Sequence, residues 1–164
     1  LERISVNFSA GQIDEQTCDR ILGILELYEF PPTAFEVEIT ETMLMKQGEA
    51  AITQLEKMRR HGISISLDDF GTGYSSLYQI HRLPINKLKI DRAFVKHIPA
   101  HADHTRLTAI IIDMARTFSL QVVAEGVESE EQYTYLSNKG CDFFQGRYLA
   151  GPLSVDELNV VVVP

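Results

Sequence analysis

The chain has 164 residues, 45% of them hydrophobic and 23% charged, a composition that suits one globular domain with a sizeable core. A net charge of −8 argues against a non-specific binder of nucleic-acid polymers, which needs a basic stripe to displace counterions. No apolar run approaches the roughly 18 residues of a membrane span, and no basic-then-apolar leader opens the sequence, so a cytoplasmic protein, or the cytoplasmic portion of a membrane-anchored parent, is expected.

Hydrophobic periodicity predicts alternating strands and helices in chain order. Strand 4–8 comes first. A helix over 14–28 puts Cys18, Ile21, Leu22, Leu25 and Tyr28 on one face, and Pro31-Pro32 stop it. Strand 35–39 precedes a helix over 49–61, with Ile52, Leu55 and Met58 inward and Gly62 at its C-terminal cap. Strand 63–67 leads into a loop over 68–75, a short helix over 76–82 and strand 87–90. A helix over 103–118 is expected to bury Leu107, Ile110, Ile111, Met114 and Phe118. Strand 121–124 follows, then a helix opened by the capping box Ser129–Gln132 and closed near Gly140. Strand 141–145 and a second capping box, Ser154–Glu157, finish the pattern; the apolar run 160–163 has no assignment. No linker or low-complexity segment divides the chain, so residues 1–164 read as one domain. Cys18 and Cys141 lack metal spacing and are expected as buried thiols. The five histidines, at positions 61, 81, 97, 101 and 104, show no zinc-protease spacing and are expected at ordinary surface positions.

The ends of the strands carry the chemistry. ISVN ends at Asn7, FEVEITE carries Glu38 and Glu41, and ISISLDD ends in Asp68 and Asp69. KLKID carries Lys89 and Asp91, VVAEGVE carries Glu125 and Glu128, and CDFFQG carries Gln145. An open doubly wound sheet uses two or three strand ends for a ligand; polar groups on every strand end fit a ring of parallel strands aimed at one mouth. Carboxylates crowded there repel, and divalent cations relieve the repulsion. Oxygen ligands without Cys or clustered His favour Mg²⁺, Mn²⁺ or Ca²⁺ over Zn²⁺.

The run LDDFGTGYSSL, from Leu67 to Leu77, with EITE before it and KID, AEGVE and QG after it, resembles the EAL family of cyclic di-GMP phosphodiesterases. The order and spacing of these motifs agree along essentially the whole chain. The resemblance implies a TIM-like (β/α) barrel, here shortened at its N-terminal side to about six βα units, because the Glu-Ala-Leu strand and the strand before it are absent. It implies metal-dependent hydrolysis of cyclic di-GMP to linear pGpG with two Mg²⁺ or Mn²⁺ ions, and inhibition by Ca²⁺. It assigns Asn7, Glu38, Asp68, Asp69 and Glu125 to the metals, with Asp69, Lys89 and Glu125 in catalysis. Glu41 becomes an anchor for the loop after Asp69, Asp91 and Glu128 become supporting acids, and Gln145 positions water. Arg147, where the family usually carries an aromatic, is a candidate phosphate contact; Gly151 stands where a basic residue commonly precedes the proline. The implied partners are a second copy bound through the loop after Asp69 and N-terminal sensory or GGDEF-type domains of a longer parent. The isolated chain is expected to be weakly active or inactive. The alternatives are a non-catalytic cyclic di-GMP sensor and a dimerisation module.

Overall fold

The structure, a computed structural model, describes residues 3–71, 77–154 and 157. Strands and helices alternate: β1 (Ile4–Phe8), α1 (Thr17–Leu27), β2 (Phe35–Thr40), α2 (Glu41–Arg60), β3 (Ser64–Phe70), α3 (Leu77–Arg82), β4 (Lys87–Ile90), α4 (Arg92–Val95), α5 (Ala102–Thr117), β5 (Gln121–Glu125), α6 (Glu130–Lys139) and β6 (Phe143–Gln145). The six strands form one parallel sheet in chain order. Successive right-handed crossovers put every helix on one side of such a sheet.

The pleat divides the strands into two unlike faces. Val37, Ile39, Ile65, Leu67, Leu88, Ile90, Val122 and Ala124 share the helix side and are fully buried, as are Leu55, Met58, Ile112 and Leu136. The opposite face is polar. The register aligns Asn7 with Glu38, Ser66, Lys87 and Gln121 across five strands, and Glu125 with Gln145 across the last pair. Crossovers leave this face without helices, yet Glu36, Ser66, Lys87 and Lys89 on it are buried. The sheet therefore curls so that its own side chains cover one another, as inside a barrel wall.

Several boundaries depart from the predicted ones. α2 begins at Glu41, eight residues before the predicted start, because Thr40 caps it by accepting from the Met43 N–H at 3.4 Å; Gly48, at φ 64°, breaks its course. β3 runs through both aspartates to Phe70 instead of ending at Leu67. Tyr28 lies past the end of α1 and is exposed. On α5 the buried residues are Thr108, Ile111, Ile112 and Ala115, whereas Leu107 and Ile110, expected inside, are 45% and 62% exposed. Thr108 and Ala115 are small enough to let the helix axis approach the sheet, and that close approach selects the inward face over bulk hydrophobicity. The α6 capping box, Gly62 after α2 and Gly140 after α6 are where the sequence puts them. Ser154 and Glu157 make the reciprocal bonds of a capping box, and the helix predicted beyond them lies outside the described residues. Both cysteines are buried and free.

Candidate active site

The site forms at the C-terminal ends of the strands, on the polar face. Lys89, two residues beyond Lys87 on β4, points the same way and is 4% exposed. Its ammonium lies 2.6 Å from Glu38 Oε2 on β2, 2.6 Å from Glu125 Oε1 on β5 and 3.2 Å from Asp68 Oδ1 on β3. Burial disfavours the charged lysine, but the hydrogen bonds it donates to Glu125 and Glu38 outweigh that cost and raise the Lys89 pKa well above its ordinary value.

Asp68 and Asp69 reach this cluster together through a β-bulge. Adjacent residues on a regular strand face opposite ways. Here Leu67 pairs with Leu88 and Phe70 with Ile90, so two residues, Asp68 and Asp69, stand opposite the single Lys89. Asp69 takes φ 54°, and its N–H donates to Asp68 Oδ1 at 3.0 Å. The bulge turns both acids to one side: a ligand oxygen from each of Asp68, Asp69 and Glu125 lies within 4.8 Å of the others. The sequence suggested a break into loop at this point; the structure keeps the strand and inserts one residue.

Four carboxylates thus face one ammonium, which leaves negative charge in excess. Burial, the Asp68 charge and the Asp91 charge push the Asp69 carboxyl up. Burial also pushes Glu125 up, against the pull of Lys89. Hard divalent cations fit an all-oxygen, over-acidic cluster of this kind, and Asp68, Asp69 and Glu125 are the residues that would hold one.

The remaining predicted residues lie on, or just beyond, the strands that carry this centre. Asn7 pairs in register with Glu38 at the end of β1 and lines a cavity of about 320 Å³ with Phe8, Ser9, Gln12, Thr40, Thr42 and Met43. Glu41 is buried in the first turn of α2 and is engaged with a partner. Asp91 caps α4 by accepting from the Ala93 N–H at 2.7 Å, and it lies within hydrogen-bonding reach of Asp69. Glu128 accepts from Arg92 Nη2 at 2.7 Å. Gly126 permits that ion pair: it adopts φ 68°, and a Cβ there would lie 2.3 Å from Arg92 Cγ. Gln145 ends β6 beside Glu125, and Gly146 lets the chain cross Val127, where a Cβ would come 2.1 Å from the carbonyl oxygen. Arg147 is exposed. Of the loop after Asp69, residues 72–76 lie outside the described residues.

One buried pair was not anticipated. Lys87 Nζ lies 2.6 Å from Glu36 Oε2, and Arg3 Nη1 lies 3.1 Å from the same oxygen. The Lys87 ammonium also stands 4.7 Å over the Phe143 ring. This pair occupies the polar face one layer below Lys89. Its signal was present, since period-two alternation puts Lys87 on the Lys89 face and Glu36 on the Glu38 face.

A parallel (β/α) sheet with an acidic centre at the C-terminal strand ends is the arrangement of a barrel-type fold that carries its site at that mouth. The sequence profile described as the EAL domain matches residues 1–152, and the chain belongs to the EAL domain family. The chain is 39% identical over 158 residues to the protein named cyclic di-GMP phosphodiesterase NbdA of Pseudomonas aeruginosa, covering 96% of this chain and 20% of that one. It superposes with TM-score 0.88 and 38% identity on the phosphodiesterase PaMucR in complex with c-di-GMP, covering 95% of this chain and 64% of the other. It also resembles Klebsiella pneumoniae BlrP1 in a manganese and cyclic di-GMP complex, with TM-score 0.80, 27% identity, and coverage of 88% and 37%. The chain spans about a fifth of the length of the curated relatives it matches. Among the described residues no helix is long and apolar enough to cross a membrane.

Proposed function

We propose that the chain provides the greater part of the active face of a metal-dependent phosphodiesterase that opens cyclic di-GMP to linear pGpG. The observation that carries this reading is the convergence of Asp68, Asp69 and Glu125 beside the buried Lys89 ammonium. The family membership and the cyclic di-GMP complexes of its solved relatives support it.

Asn7, Glu38, Asp68, Asp69 and Glu125 hold the cations, two Mg²⁺ or Mn²⁺ ions, in this reading. When bound, the cations supply Lewis acidity at the phosphodiester and at the attacking water. Glu125, beside Lys89 and the paired aspartates, would take the proton from that water. Lys89 leaves part of its present carboxylate shell to face the negative charge that builds on the phosphoryl oxygens. Asp69 completes the acid pair that the bulge creates. Glu41 and Asp91 fix the segment on either side of Asp69, Glu128 holds Arg92 across Gly126, and Gln145 orients water beside Glu125. Arg147, exposed at the mouth, contacts phosphate. Ca²⁺ fits the same oxygens and is expected to hold substrate without turnover.

Association with a second copy through the loop after Asp69, and N-terminal sensory or GGDEF-type domains in a longer parent, belong to the same proposal. The test is chromatographic detection of pGpG after incubation of the chain with cyclic di-GMP and Mn²⁺, with Glu38→Ala as control. Weak Mn²⁺-dependent product that the control lacks supports the reading. Product that persists in Glu38→Ala overturns the site. Calorimetric binding of cyclic di-GMP without product assigns the chain to binding instead of turnover.

A further inference from the structure

The connection from α4 into α5 brings together three histidines that the site described above does not use. The ring centroids of His97, His101 and His104 lie 5.5 Å (97–101), 4.9 Å (97–104) and 5.9 Å (101–104) apart. A turn before α5, closed by the His101 N–H donating to the His97 carbonyl at 2.9 Å, brings His97 and His101 against His104 in the first turn of the helix. Nδ1 of His104 is buried and has no hydrogen-bond partner, although buried imidazole nitrogens are almost always satisfied.

We propose that His97, His101 and His104 form a surface site for a borderline transition-metal ion, Zn²⁺ or a chemically similar cation, separate from the oxygen cluster of Asp68, Asp69 and Glu125. The three rings lie close enough for one nitrogen of each to reach a shared ion once the rings turn. A Zn–N bond of about 2.0–2.1 Å puts the metal roughly 3.2 Å from a ring centroid, and tetrahedral angles then set centroid pairs about 5 Å apart. The three observed separations bracket that value. Among the described residues, only the oxygen cluster has ligand atoms that already converge. The imidazoles therefore turn about their side-chain torsions on binding, which costs little for His97 and His101 because both are exposed.

The donor sets differ in the direction that selectivity requires. Imidazole nitrogens suit zinc, copper and nickel, whereas the carboxylates suit magnesium, manganese and calcium. Partial desolvation and the neighbouring His104, Lys96 and His101 lower the His97 pKa, which favours the neutral ring a metal needs. The positive end of the α5 dipole opposes a cation here, and Asp103 in the first turn offsets it. The half-buried His104 supplies the ring whose nitrogen otherwise lacks a partner, and the two exposed rings close over the ion from the preceding turn.

The test is titration of the full 164-residue chain with Zn²⁺ in competition with a chromogenic chelator, with Co²⁺ visible absorption as a second readout. One Zn²⁺ per chain is expected outside the oxygen cluster, with an intense tetrahedral-type Co²⁺ band. His97→Gln and His101→Gln are each expected to weaken binding at least about tenfold, since loss of an outer-shell partner alone costs that much. Asp69→Asn is expected to leave this binding unchanged. Melting of the metal-free variants checks that each folds, and His104→Gln repeats the test from the buried side. Zinc affinity equal to the parent in the His97 and His101 variants overturns the site. So does loss of binding with Asp69→Asn alone, or no zinc binding at micromolar concentration.

Discussion

Each buried cation on the polar face answers a buried acid, and this makes single residues decisive. Burial raises the cost of ionising Glu36, but the hydrogen bond and charge of Lys87, with Ser64 and Arg3, hold its carboxyl below the ordinary value of 4.5. A depressed acid stabilises the fold fully above that ordinary value and loses the contribution as pH falls through the lowered one. Lys87→Met is therefore expected to cost about 3–5 kcal/mol near neutral pH, the usual penalty for orphaning one partner of a buried pair. Adding Glu36→Gln should restore much of the loss, which denaturant melts of the two variants will show. Lys89→Met leaves Glu38, Glu125 and Asp68 without their shared cation. Turnover is expected to fall roughly 10²–10³-fold, the effect of removing one donor to developing charge. Steady-state pGpG formation at saturating Mn²⁺ checks this. Asp69 and Glu125 resist ionisation without a metal, so Mn²⁺ should raise the melting temperature, and Asp69→Asn should shrink that rise.

Elements deliver these residues through small local devices. Gly126 lies in the connection from β5 to α6 and lets Arg92 pass close enough to reach Glu128. Gly126→Ala forces a side chain into the left-handed region and into Arg92, at a cost of about 1–3 kcal/mol. Ser129→Ala removes the cap of α6 and should cost about 1 kcal/mol; chemical denaturation measures both. The alternation of strands and helices, the caps of α6 and the Gly140 terminus were legible because each is a local signal. The β3 bulge was not legible. Two adjacent acids are compatible with a strand, a bulge or a loop, and only the pairing of Leu67 with Leu88 and Phe70 with Ile90 decides among them. The α5 face was misread because its inward side is chosen by Thr108 and Ala115, whose small size matters only once a sheet lies beneath. The histidine grouping was missed for a related reason. Its spacing is visible, but the chain from 97 to 101 precedes α5, and nothing in the sequence announces that it coils.

At the scale of the whole molecule, strand order gives the sheet two edges, β1 and β6. Ile4 and Val6 on β1 are 38% and 37% exposed, so among the described residues a strand with apolar side chains forms one edge. The chain is expected to self-associate as concentration rises. Val6→Lys should suppress this without changing Mn²⁺ binding, and light scattering on eluting peaks will report it. Retention of association in Val6→Lys would direct attention to the loop after Asp69.

The two-faced pleat also governs which genetic changes this lineage can survive. Deleting one codon within a strand inverts every side chain beyond it, carrying carboxylates into the oily layer and valines to the reacting centre at the same stroke. Insertions between strands carry no such penalty. A change in residue count is thus expected to be costly within a regularly paired strand and cheap in the segments that connect strands.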